Sequence, residues 1–156
     1  MDTEITPQKI LYINHNVNSN SDRQKINDKF QDVDWATIDT PKSINEDDYR
    51  NYLLTIKNHK FMICPSGNAI GCECHRDWEV LYMNRVPIVE KNGYVEHIFK
   101  DFPVLIIDKF DDITEELLIK NEHLFHAALK LDKNKLDMDI LFNESVSQSK
   151  QLIKNL

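Results

Sequence analysis

The amino-acid sequence predicts an α/β domain built on a single doubly wound parallel sheet, a Rossmann-like layer. Three observations carry this reading. Short apolar runs alternate along the chain with helix-period segments, as parallel strands require, because each neighbour is reached through a helical crossover. The apolar runs are continuous rather than alternating with polar residues, the pattern of strands covered on both faces. A length of 156 residues suits one domain, since a chain of that size buries about 70% of its unfolded surface. The expected organisation is a polar leader over 1–8, a Rossmann-like lobe over 9–132 and a helical C-terminal extension over 133–156.

The first strand is Lys9-Ile10-Leu11-Tyr12-Ile13-Asn14. A polar loop to Ser21 follows, and then a helix from about Asp22 to Phe30, with Asn20, Ser21 and Asp22 all suited to cap it. Val33 to Ile38 has strand character. Ser43 to Lys57 has helical spacing at Ile44, Tyr49, Tyr52, Leu53 and Ile56, and Ser43 with Glu46 is a capping-box pattern. Further strands are expected at Phe61 to Cys64, Val86 to Val89 and Val104 to Ile107, with a helix over about Cys72 to Met83 joining the first two. Thr114 to Leu131 reads as one helix and Asn143 to Leu156 as a weaker one. Ligands of open sheets gather at the carboxyl ends of strands, where the Asn14 to Ser21 and Pro65 to Gly71 loops both fall.

Lys and Arg number 19 against 26 Asp and Glu, a net charge of -7, so the chain advertises neither a nucleic-acid nor an anionic-membrane partner. No run approaches the length of a membrane-spanning helix, and Met1-Asp2-Thr3-Glu4 lacks the basic and then apolar pattern of a signal peptide. A cytoplasmic location is the expectation. Cys64, Cys72 and Cys74 are clustered and odd in number, more consistent with reduced thiols than with a disulfide framework. Together with His75 they offer an alternative, a small zinc-dependent interaction domain, although a second paired cluster is missing.

The most informative stretch is 60–92. An apolar run ends in Pro65-Ser66-Gly67, a small-residue loop follows, a helix-period segment carries Arg76 and Glu79, and Val86-Pro87-Ile88-Val89 resumes the strand pattern. Of three glycines in the chain, Gly67 and Gly71 share this one loop, and glycine permits close backbone approach to a ligand. An ordinary tight strand-to-helix turn is the plainer reading. Arg76 and Glu79 lie three apart, on one helix face and within its first two turns. A guanidinium beside a helix start suits a diphosphate, and a carboxylate one turn deeper can accept both hydroxyls of a ribose. An intrahelical Arg-Glu pair is the alternative. His75 could donate to a phosphate or leaving group, and Arg23 could add a second positive charge to the same strand-end crevice. Trp78, Leu81 and Tyr82 read as core packing on another face. Walker, nucleophile-elbow and dinucleotide glycine motifs are absent. Asp137-Met138-Asp139, after a long helix rather than at a strand end, reads as a solvated acidic turn.

Residues 60–107 resemble the carboxyl-terminal half of exostosin-like glycosyltransferases. The shared pattern is an apolar strand, a Pro-x-Gly loop, His-Arg-x-x-Glu-x-Leu on a helix, then Pro-Ile-Val. Here these are Pro65-Ser66-Gly67, His75-Arg76-Asp77-Trp78-Glu79-Val80-Leu81 and Pro87-Ile88-Val89. Asp101 to Ile107 and Ile113 to Leu117 are similar to the family's next strand and helix, whereas Cys72-Glu73-Cys74 departs from its pattern. The resemblance implies one lobe of a GT-B glycosyltransferase, holding a UDP- or GDP-sugar donor without a required metal. By that likeness Arg76 faces the donor diphosphate, Glu79 the ribose or sugar, and the loop of Ser66, Gly67, Asn68 and Gly71 the phosphate region, with His75 and Arg23 nearby. It further implies an acceptor lobe or partner, or self-association, to complete a transferase whose glycan or protein acceptor is undefined. The alternative is a non-catalytic nucleotide-binding or assembly module.

Overall fold

Odd and even residues of each strand go to different cores, which is why the strands read as unbroken apolar runs. The computed structural model describes residues 5–19, 21–42, 45–66 and 74–137. Five strands form one all-parallel sheet: β1 (Lys9–Asn14), β2 (Ala36–Asp39), β3 (His59–Ile63), β4 (Val86–Glu90) and β5 (Leu105–Ile107). Their order is β2-β1-β3-β4-β5, with Leu11 beside Ala36 on one flank and Phe61 on the other. Leu11, Ile13, Phe61, Ile63 and Ile88 enter one core, while Tyr12, Met62, Cys64 and Val89 enter the other. Each fully buried aliphatic or aromatic side chain contributes about 1.5–3 kcal/mol.

The helices divide as right-handed crossovers demand. The chain moves from β1 to β2 in one direction, through α1 (Ser21–Phe30), and then reverses through α2 (Glu46–Lys57), α3 (His75–Tyr82) and α4 (Gly93–Ile98). Ile26 and Phe30 of α1 therefore pack in the first core, and Ile56, Val80, Leu81 and Val95 of the other three in the second. After β5, α5 (Glu115–Lys120) and α6 (Glu122–Leu129) bring Leu118, Phe125 and Ala128 back to the first core. The winding reverses between β1 and β3, and a doubly wound sheet opens its ligand crevice at the carboxyl ends of such a pair.

The fold is the expected Rossmann-like layer, with local departures. Asn45, not Ser43, caps α2, its side chain accepting from the Asp48 N–H at 2.8 Å; Ser43 lies outside the described residues. The segment expected as one helix over 114–131 breaks at Asn121, whose side chain donates to the Leu117 carbonyl at 2.8 Å and whose own carbonyl accepts the Leu124 N–H. The short α4 was not expected; Asn92 caps it through a 2.8 Å bond from the Val95 N–H. Helix α3 starts at His75, and Cys72 is outside the described residues. It ends at Tyr82 with Met83 as its C-cap, and Asn84 just beyond has a φ of 57°, the left-handed conformation that stops a helix and that Asn tolerates better than most residues. Leu81 is buried and Trp78 packs against Phe99 and Phe102, as expected, but Tyr82 is exposed and donates to the Leu136 carbonyl. Leu136, in a 3-10 turn over Lys133–Leu136, packs in the second core; the expected helix over 143–156 lies outside the described residues. No helix among the described residues is long and apolar enough to cross a membrane.

Candidate functional site at the carboxyl end of the sheet

A cleft of ≈ 410 Å³ opens beside the β1/β3 reversal. One wall is the start of α3, with His75, Arg76 and Glu79; the other is α2, with Asp48, Tyr49 and Tyr52. Asn14, the last residue of β1, and the Pro41-Lys42 segment complete it. A smaller recess sharing Asn14, Lys42, Asp48 and Tyr52 extends it to Asp39 at the end of β2. Between the two, Asn14 Nδ2 donates to the Tyr12 hydroxyl at 2.8 Å and that hydroxyl donates to Asp39 Oδ2 at 3.1 Å. Burial first, then the Asp39 charge, holds the Tyr12 phenol far above its ordinary value, so it stays a donor.

Arg76 and Glu79 share the cleft, as their spacing predicts, without forming an intrahelical pair. The Glu79 carboxylate instead accepts the Tyr52 hydroxyl on Oε2 at 2.9 Å and the Tyr49 hydroxyl on Oε1 at 3.2 Å. Burial and the adjacent Glu79 charge raise both phenols, Tyr52 by far the more. Each carboxylate oxygen keeps a further lone pair for a ligand hydroxyl. Arg76 makes no ion pair among the described residues, so its charge is available to an anion. The α3 start is already occupied in part: the buried Asp77 carboxylate accepts the Cys74 N–H at 2.8 Å and the Cys74 thiol at 3.6 Å. Arg76, more than the helix dipole, supplies the positive charge here.

Arg23 occupies a different place from the one its sequence position suggests. It is 5% exposed, and its Nη1 and Nη2 donate to the main-chain carbonyls of Asn16 and Ser66 at 3.2 and 2.9 Å. It lines, with Ser66, a second crevice of ≈ 450 Å³ bordered by Glu90 and Asp108 at the ends of β4 and β5. Burial, followed by the charge of Arg76, lowers its pKa. The other expected loop residues, Gly67, Asn68 and Gly71, lie outside the described residues.

Burial and the Asp77 charge push the Cys74 thiol up to about 11 and Cys64 well above its ordinary value, so both are protonated thiols at neutral pH in the metal-free chain. Among the described residues no three His, Cys, Asp or Glu side chains form a metal-binding group. Sequence reasoning did not single out Tyr49 and Tyr52 as site residues, because their helical spacing explained them as packing. It placed the Asn14 to Ser21 loop at the ligand end of the sheet without giving Asn14 or His15 a role, although a polar pair directly after an apolar run is the signal that could have found them. In comparison with known proteins, no family model matches the chain and no curated protein matches its sequence.

Proposed function

We propose that the chain is a nucleotide-sugar-binding lobe of the glycosyltransferase type. The observation that carries this reading is the joint placement of an unneutralised Arg76 and a tyrosine-held Glu79 in one cleft at the β1/β3 reversal. In this reading Arg76 neutralises the donor diphosphate and Glu79 accepts ribose hydroxyls, its orientation fixed by Tyr49 and Tyr52. The half-exposed Tyr49 ring offers a flat apolar surface to the base. In transfer, the bond from the anomeric carbon to the diphosphate oxygen breaks and its electron pair leaves on the diphosphate. Arg76 stabilises that growing charge. The acceptor hydroxyl gives up its proton to a base from an acceptor lobe or partner chain. The resemblance of 60–107 to exostosin-like enzymes supports the same assignment of roles.

A second reading, nucleotide binding without transfer, is favoured by the state of the cleft carboxylates. Glu79 is engaged by two phenols and Asp48 Oδ2 by the Asn45 amide at 2.7 Å, so both are already acceptors in fixed bonds. The test is thermal unfolding of the chain against a panel of nucleoside diphosphates and UDP- and GDP-sugars. A ligand at about a hundred times its dissociation constant stabilises a one-site binder by about 2.7 kcal/mol. The proposal expects a shift with one nucleotide that Arg76→Ala abolishes in a folded protein. A shift of equal size in that variant would sink it. Donor hydrolysis that disappears in Glu79→Ala separates the transferase from the binding module.

A further inference from the structure

The side recess off the cleft, ≈ 100 Å³ in volume, is too small for a whole nucleotide and takes at most one edge of a base. It shares Asn14, Lys42, Asp48 and Tyr52 with the cleft and adds Asp39 and Asn51. Tyr52 joins the two spaces: its hydroxyl donates to Glu79 at 2.9 Å, and the same residue lines the recess. The lining thus passes from Arg76 and Glu79 of α3, through Tyr52 of α2, to Asp39 of β2. A ligand with its anion at Arg76 and its diol at Glu79 would present its far end to the recess.

What the recess offers is acceptors. The Tyr12 hydroxyl has one proton, and it goes to Asp39 Oδ2 at 3.1 Å, because a carboxylate only accepts. The phenol oxygen is then left to accept, so it is Nδ2 of Asn14 that faces it at 2.8 Å; a flipped amide would set two acceptors together. Asn14 Oδ1 therefore points elsewhere and has no partner among the described residues, although Asn14 is only 7% exposed and lines both the cleft and the recess. Asp39 Oδ1 also has none, and its Oδ2 retains a second lone pair. So deeply buried a side chain ordinarily has its hydrogen bonds filled, and the open carbonyl of Asn14 calls for a donor that the protein does not supply.

The bases differ in the donors they bring. On its base-pairing edge guanine sets N1–H and the 2-amino group side by side, two donors that match one carboxylate, next to the O6 acceptor. Uracil has a single N–H between two carbonyls, so a carboxylate that takes the N–H meets a carbonyl with its second oxygen. Adenine and cytosine set an amino group beside a bare ring nitrogen, with the same conflict. Lys42 and Asn51, which also line the recess, carry N–H donors of the kind that O6 needs. We infer that the recess selects guanine: Asp39 accepts the N1–H and 2-amino group of a guanosine diphosphate or its sugar, and Asn14 Oδ1 is a further acceptor where recess and cleft meet. The inference rests on the nucleotide reading and names its base. Uracil is rejected because it leaves the acceptors of the recess unpaired.

The experiment is calorimetric titration of the full chain with GDP, with inosine diphosphate, which lacks only the 2-amino group, and with UDP. GDP is expected to bind about tenfold tighter than UDP, the discrimination of one good two-pronged contact, with inosine diphosphate between them. In Asp39→Asn, which keeps an acceptor for Tyr12 but turns an N–H toward the guanine edge, the preference for GDP collapses. UDP or inosine diphosphate bound as tightly as GDP by the wild type overturns the choice of guanine; where Arg76→Ala abolishes that binding, the nucleotide reading stands without it. A GDP preference that survives intact in Asp39→Asn overturns the assignment to the recess. A wild-type chain that binds none of the three diphosphates overturns the nucleotide reading and the base together.

Discussion

Each end of the sheet buries one arginine and one histidine, and the two ends treat them oppositely. At the amino end, Arg85 precedes β4 and donates to the carbonyls of Ile5, Lys57, Met83 and Asn84, with its guanidinium also over the Phe125 ring at 5.4 Å. His59 opens β3, bonded through Nδ1 to the Thr55 carbonyl at 2.7 Å and through Nε2 to the Thr37 hydroxyl at 2.8 Å, and stacked on Tyr12. Both its ring nitrogens are matched by a single neutral tautomer. At the carboxyl end, Arg23 and His15 each keep an unmatched nitrogen, and Arg76 keeps an unmatched charge. Satisfied polar groups fix the fold, and each unsatisfied buried group calls for its own explanation. The same residue types are thus fully matched at one end and incompletely matched at the other, where the candidate cleft opens.

The largest expected effect breaks the comparison or secures it. Arg85→Met strips charged donors from several buried carbonyls and should destabilise the chain by about 3 kcal/mol or more in urea unfolding. Arg23→Met should cost less, about 1–2 kcal/mol, because its guanidinium is only partly matched. Equal or reversed losses would mean that the carboxyl end is as structural as the amino end.

Next in size is Glu79→Ala. It should raise the dissociation constant of the nucleotide at least tenfold, about 1.4 kcal/mol, as measured by calorimetry. Tyr52→Phe removes one of the two bonds that orient Glu79 and should weaken binding by a smaller factor, with a stability loss of about 1 kcal/mol. Unchanged affinity in both variants would place the ligand elsewhere.

The smallest effect is a pH dependence. Burial lowers the pKa of both His15 and His59 below the ordinary imidazole value. The unfolded chain then binds more protons in the window between the lowered native values and about 6.5, so stability rises with pH there. Their contribution is fully present above about 6.5 and is lost as the pH falls through the native values. His59→Gln should remove part of this slope, leaving the share of His15. A stability that is flat with pH down to about 5 contradicts the neutral, buried assignment of both rings.

Much of the fold was legible because strand and helix periods are local properties. Lys9–Asn14 was read with its observed bounds, and the five strands follow from runs such as Phe61–Met62–Ile63 that need cover on both faces. The break at Asn121 and the short α4 were not legible, because one asparagine in an otherwise helical run and six residues between two strands carry little periodic signal. Of the residues that the sequence singles out, His75, Arg76 and Glu79 line the candidate cleft together, because their spacing puts them on one face of α3. Tyr49 and Tyr52 were hidden because the α2 stripe that packs a core and the pair that reaches Glu79 share one spacing. Arg23 was found but misplaced: only the fold reveals that its guanidinium turns inward to the Asn16 and Ser66 carbonyls.

The most direct test of the division between the two ends is a map of amide chemical shifts on adding the nucleotide sugar that stabilises the chain. The account predicts changes at Asn14 to Asn16, Arg23, Asp39 to Lys42, Tyr49, Tyr52 and His75 to Glu79, with Ile5 to Lys9, Lys57 to His59 and Asn84 to Arg85 unmoved. Changes centred on the amino end, around Arg85 and His59, would contradict it.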